Sequence, residues 1–301
     1  MTTIGSAVKQ GFKLARHGQA AVWVLFLVNL GLAALAALPI YQGILDFTGH
    51  SLMADTLTRS FSLDWLTDFN YKHPYAHVNY GYIILGVGLL SLVANSILAG
   101  GAVAAFETAN GFGYSLGDFF RNAVRYAGRL LRLLFLGLIS YWIVFWVINE
   151  WLDGRVSKWV RNSMDDRTAF GAHLAVGILL LLGLVVVHLV MDYARVNLMM
   201  NDESSAFLAF LSSIGFCLAR LRKAFGAYIV PTLCGLAVMA AFLWLTSLRP
   251  VQAVASWIGR TRHPSLTIVA LFIAQQVVMF LRTWFRVASW GSEWACYGGN
   301  R

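Results

Sequence analysis

Charge is scarce in this chain. Only 12% of its 301 residues are Asp, Glu, Lys or Arg, about half the share of a soluble domain. Too few charges remain to coat a water-facing surface or to keep a chain unfolded, so a soluble domain and a disordered protein are both excluded. Cysteine is rarer still: Cys217, Cys234 and Cys296 stand far apart, which removes a zinc knuckle and a disulfide framework. Catalytic signatures are missing too. No H-E-x-x-H, G-x-S-x-G or P-loop occurs, and Gly111-Phe112-Gly113 to Gly117 has the wrong spacing for a dinucleotide fingerprint. The paired acids Asp165-Asp166 and Asp202-Glu203 read as loop residues whose side chains diverge. No enzyme activity, cofactor or metal is therefore expected.

What is abundant is apolar surface. Hydrophobic residues make up 58% of the chain and the mean hydropathy is +0.65, an excess that needs lipid to face. Six apolar runs approach the roughly 20 residues of a membrane crossing: Ala20–Ile40, Tyr82–Phe106, Leu130–Ile148, Ala169–Met191, Ala224–Ser247 and, shortest, Leu266–Leu281. They are rich in Leu, Ala and Gly without strand-like alternation. Backbone amides in hydrocarbon must be bonded within the segment, so the expected fold is all-α and polytopic.

Basic residues set the expected orientation. Of the 23 Lys and Arg, fourteen fall at the N-terminus (Lys9, Lys13, Arg16), between spans two and three (Arg121, Arg125, Arg129, Arg132), between spans four and five (Arg195, Arg220, Arg222, Lys223) and after span six (Arg282, Arg286, Arg301). By the positive-inside rule these segments and both termini lie in the cytoplasm, facing anionic headgroups. The net charge of +9 thus points to lipid rather than nucleic acid. Trp142, Trp146, Trp151, Trp244 and Trp257 read as an outer aromatic belt, and Trp284, Trp290 and Trp294 as an inner one. A cleaved signal peptide is the competing reading of the N-terminus, since Lys9, Lys13 and Arg16 precede a run ending in Ala34-Leu35-Ala36. That run exceeds a usual signal core, and its loss would leave five spans.

A repeat organises the chain. Gly11-Phe12-Lys13-Leu14-Ala15-Arg16 before span one matches Gly215-Phe216-Cys217-Leu218-Ala219-Arg220 before span five, with a weaker copy at Phe120–Ala127. Each unit reads as an amphipathic lead-in helix, a crossing, a loop and a return. The expectation is a single domain, 1–301, of three helical hairpins (1–107, 108–200 and 201–301) with interfacial helices. Ile4, Val8, Phe12 and Ala15 form one stripe of the first lead-in, and Arg121, Arg125 and Arg129 one face of the second, which Ser115 and Asp118 start as a capping box. Outside, Leu63, Trp65, Leu66 and Phe69 alternate with Asp64 and Asp68 as an amphipathic helix in the long loop 41–78. Shorter caps are expected at 151–167 and 251–257.

Polar residues at membrane depth are the candidate sites. Asn29, Asn95, Gln275 and Gln276 are read first as helix-packing amides and second as solute ligands. His188, Asp192 and Arg195 share a helix face at the inner end of span four; a proton relay or metal site is the sharper reading, and a headgroup-level ion pair with a packing histidine is preferred. Lys9, Lys13, Arg16, Arg121, Arg125, Arg129, Arg220, Arg222 and Lys223 are the expected headgroup contacts. Pro231 is expected to kink span five.

Asp192-Tyr193-Ala194-Arg195-Val196, then Asp202 to Ser205, then Gly215 to Arg220 leading into span five, give the chain a resemblance to uncharacterised six-span bacterial inner-membrane proteins. It is also distantly similar to YciC-type proteins and to the membrane domain fused to some glycerophosphodiester phosphodiesterases. The resemblance implies a bacterial inner membrane and a six-helix bundle, and carries over no catalytic residue. The expected function is a non-enzymatic scaffold or assembly component, with other membrane proteins and the phospholipid bilayer as partners. The alternative is a transporter or a protein that handles lipids or other amphiphiles.

Overall fold

A computed structural model of the chain describes residues 3–49, 63–108, 115–160, 166–247 and 264–299. Among them every regular element is a helix: α1 Ile4–His17, α2 Gln19–Thr48, α3 Leu63–Lys72, α4 Ala76–Thr108, α5 Leu116–Trp142, α6 Asn149–Val160, α7 Asp166–Met200, α8 Ala206–Ala219, α9 Leu221–Ser247 and α10 Pro264–Gly298. A π-helical stretch, Ile143–Ile148, joins α5 to α6 without a break.

Side-chain oxygens set several starts. Thr3 caps α1 in a reciprocal box with Ser6, and Ser205 caps α8. Ser115 accepts from the Asp118 amide at 3.1 Å and donates to its carboxylate at 2.6 Å, satisfying an amide that a helix start leaves open.

Five described helical segments are long and apolar enough to cross a membrane: Gln19–Thr48, Val78–Phe106, Leu116–Val160, Arg167–Met200 and Leu221–Ser247. Their apolar side chains point outward: Leu35, Leu38, Leu85, Phe135, Leu181 and Leu243 are all about half exposed or more. Water would penalise so much bare hydrocarbon, whereas lipid does not. The architecture is that of an α-helical membrane protein. The lead-ins of the first and third units are separate helices, broken at Gly18 and Arg220, while the middle one runs straight into its crossing.

By packing, the chain divides into two compact units: residues 24–95, and residues 1–23 together with 96–301. In the first, α3 turns Trp65 and Phe69 onto Ile44, Phe47 and Tyr80 and leaves Asp64 and Asp68 exposed. The amphipathic pattern thus seals an aromatic cluster in which Trp65 stacks on Phe69 at 5.2 Å. Deeper in this unit Asn29 and Asn95 exchange carboxamide hydrogen bonds of 2.9 and 2.8 Å.

In the second unit, α1 lies along the end of α10. A Cβ on Gly11 would overlap Ser292, and one on Gly291 would meet Gly11 Cα at 3.0 Å; only paired glycines allow so close a crossing. The apolar stripe of α1, with Ala7, Val8, Gly11 and Ala15 buried, is therefore spent on protein rather than on the lipid expected for an interfacial helix. Lys9, Lys13 and Arg16 stay exposed. The C-terminal third of α7 is buried almost without interruption from Leu189 to Met199.

Residues 282–298 are not a tail. They continue α10 for four more turns, and Trp290 is 2% exposed. Trp284 packs on Phe12 and Trp294 on Phe106, so these tryptophans serve the core more than an inner belt. Trp142, Trp146, Trp151 and Trp244 are exposed, as anchors would be. The expected cap at 251–257 with Trp257, much of loop 41–78, Gly111 to Gly113 and Asp165 lie outside the described residues.

Candidate functional site

The C-terminal part of α7, the N-terminal half of α9 and the C-terminal half of α10 enclose a half-open cavity of about 200 Å³. α7 contributes His188 and Asp192, α9 contributes Tyr228, Pro231, Leu236 and Met239, and α10 contributes Arg282, Arg286, Ser289 and Trp290. From Tyr228 to Met239 the wall of α9 extends about 16 Å at 1.5 Å per residue. Its chemistry changes from phenol and hydroxyl to hydrocarbon on the way. Pro231 and Gly235 are buried at the middle of this wall, where Gly235 lets Phe285 of α10 approach closely. α9 continues as a helix through Pro231.

On α7 the three residues singled out by spacing come together. Asp192 Oδ1 accepts from Arg195 Nη1 at 2.6 Å, and its Oδ2 lies 3.4 Å from His188 Nε2. His188 Nδ1 is 3.1 Å from the Tyr141 hydroxyl of α5, and its ring meets Tyr228 edge-on at 5.8 Å. The pair is shielded by protein: Asp192 is only 3% exposed and the Arg195 side chain 13%. A buried pair is held by desolvation on both sides, so each partner depends on the other.

Behind the cavity wall is a residue that spacing did not reveal. Glu293 is fully buried; its Oε1 accepts from Ser289 Oγ at 3.1 Å, and its Oε2 has no hydrogen-bond partner. Burial pushes this carboxyl well above the ordinary glutamate range; nearby Asp192 adds to the rise, while Ser289, Arg195 and Arg286 oppose it. A lone acid between Trp290 and Trp294, in a stretch that continues the apolar run, was the available signal.

Arg282 and Arg286 change role as well. They read as basic residues following the last span; instead they line the cavity, with the Arg286 guanidinium 5.3 Å from the centre of the Trp290 ring. Asp192, the carboxylate on this wall, is already engaged by Arg195.

The remaining candidates lie elsewhere. Asn29 and Asn95 satisfy each other, and their amides also bond to Leu25 and Ser91 carbonyls. Gln275 is exposed and Gln276 half-buried on α10. None of these four lines the cavity. Among the basic residues, Arg121 pairs with Asp118 at 3.4 Å, while Arg125 and Arg129 bind Asp202 at 3.3 and 2.6 Å. The Arg129 hydrogen bond holds the Asp202 carboxyl below its usual range. Arg222 is exposed, Lys223 is half-buried, and Arg220 lies over the Phe216 ring.

A second polar network also escaped the sequence reading. Asn197 donates to Ala209 O at 3.2 Å and accepts from Tyr297 at 2.7 Å and from Asn201, tying α7 to α8 and α10. Cys217 is buried nearby, its thiol pushed up to about 12 by burial. Among the described residues no cluster of His, Cys, Asp and Glu has the makings of a metal site. In comparison with known proteins, the chain matches no family model, no curated protein and no solved structure.

Proposed function

We propose that this chain is a non-enzymatic bacterial inner-membrane protein that holds an anionic amphiphile in the cavity between α7, α9 and α10. In this reading the apolar stretch 266–281 of α10 is the sixth crossing. The spans form three hairpins with both termini in the cytoplasm, and the cavity opens at headgroup depth, where Arg282 ends the apolar run.

The observation that carries the proposal is the charge left over in the cavity: Arg282 and Arg286 line it, and the one carboxylate of the wall is engaged by Arg195. Two guanidiniums at the edge of hydrocarbon call for an anion, and a phosphate accepts their fork of N–H donors well. Leu236, Met239 and Phe285 on the same wall suit an acyl chain. This is the lipid-handling alternative, relocated from the amides to the arginines. The scaffold reading retains one support, the exposed Lys9, Lys13 and Arg16 on the outer face of α1.

Equilibrium binding to detergent-purified protein tests the proposal with three probes: phosphatidylglycerol, phosphatidylcholine and free glycerol phosphate. Phosphatidylglycerol is expected to bind, to outcompete phosphatidylcholine, and to lose about tenfold or more in affinity in Arg286→Ala, one charge-assisted contact. Tight binding of glycerol phosphate without chains would assign the site to a soluble anion instead. Equal binding of all three would remove the proposal.

A further inference from the structure

We propose that Glu293 is a proton switch for this cavity: with its proton on, the site is cationic and takes the anion; with its proton off, anion binding weakens. The inference rests on the anion-site reading above and adds its regulation.

Geometry carries it. Glu293 is fully buried, yet only Oε1 is bonded, to Ser289 Oγ. Oε2 has no partner. A carboxylate cut off from water with a bare oxygen is costly, and a neutral carboxyl much less so. The link to the cavity is one hydrogen bond. Ser289 lines the cavity one helical turn before Glu293, and donates to it. Charge appearing on Glu293 is thus felt at the cavity wall through a dry medium, where charges act over longer distances than in water.

The groups around Glu293 leave it the decisive one. From α7 come Asp192, Arg195 and Tyr193; from α9, Tyr228; from α8, Cys217; from α10 itself, Arg286 and Cys296. Lys9, Lys13 and Arg16 of α1, the helix packed along this part of α10, are exposed. Asp192 and Arg195 cancel as a bonded pair. The arginines keep their charge throughout the accessible pH range, and burial keeps the Cys217 thiol neutral until about 12. The sign follows. Below the Glu293 titration the cavity region carries the surplus of Arg282 and Arg286; above it, one of those charges is offset by a carboxylate that the anion must also face.

The test measures phosphatidylglycerol affinity of detergent-purified full-length protein between about pH 5 and pH 9. Wild-type affinity is expected to be flat at the acid end and to fall at least about tenfold toward the alkaline end, one unit of coupled pKa. In Glu293→Gln, which keeps shape and neutrality, the affinity should stay at the acid-side value across the range. A slope that persists in Glu293→Gln would assign the effect to His188 and overturn the proposal, as would a flat wild type. Should the variant misfold, wild-type calorimetry in two buffers of different ionisation enthalpy decides. Proton uptake on binding at the alkaline end supports the switch, and its absence at every pH removes it. Failure of wild type to bind at the acid end would instead sink the anion site itself.

Discussion

Two polar centres in this protein, one half-buried and one buried, differ in completeness. Asn29 and Asn95 close a reciprocal pair and spend their second N–H bonds on backbone carbonyls of their own helices. Asp192 and Glu293 form no such closed set: one acid is matched by Arg195, and the other has an oxygen with no partner. A saturated polar pair has nothing to offer a ligand and acts as a register pin. An unsaturated one beside a cavity stores electrostatic free energy that a ligand or proton can release. Depth in the membrane alone does not separate the two; hydrogen-bond accounting does.

Removing one partner of a buried ion pair widens the contrast most. Asp192→Ala leaves Arg195 desolvated and unmatched, so a loss of about 3–5 kcal/mol is expected, read as a large fall in the thermal midpoint in detergent. An unchanged midpoint would mean that Arg195 reaches water, and the centre would then be an ordinary surface pair.

Glu293→Gln should act in the opposite direction. Because the folded carboxyl titrates above its ordinary value, its contribution is most favourable below the unfolded pKa of about 4.3. That contribution is lost as pH rises toward the folded value, at about 1.4 kcal/mol per unit of separation. Wild-type melting should therefore decline across this window, while Glu293→Gln stays level and overtakes it. Parallel curves would place water or a cation on Oε2 and erase the difference between the two centres.

The smallest effect belongs to the amides. A double-mutant cycle with Asn29→Ala and Asn95→Ala should return a coupling of about 0.6 kcal/mol, and at most about 1.7, with little dependence on pH. A coupling near zero would show that each amide is content with its own backbone carbonyl, so that the pair pins nothing.

Much of this was legible before any coordinates. Hydropathy located the five long apolar helices because each apolar run must satisfy its own backbone bonds, which requires no knowledge of neighbours. The helix at Leu63–Lys72 could be read from four apolar positions and two acids, and the α5 start from Ser115 and Asp118. His188, Asp192 and Arg195 could be placed on one face, since seven residues make about two turns. Their burial could not, because it depends on α9 and α10, which arrive from far along the chain. The burial of Trp290 escaped the sequence for the same reason. An indole looks like an interfacial anchor until Gly11 and Gly291 bring α1 against the same helix.

Composition and periodicity by themselves determined that hydrocarbon surrounds this chain and that it is helical, since both follow from local backbone chemistry in a medium without water. Only the tertiary structure decided which polar groups are complete. Asn197 accepts from Tyr297, 100 positions away, at 2.7 Å, whereas Glu293 is bonded only by Ser289 of its own helix and keeps a bare Oε2. Hydrogen bonding is short-ranged in space and indifferent to distance along the chain.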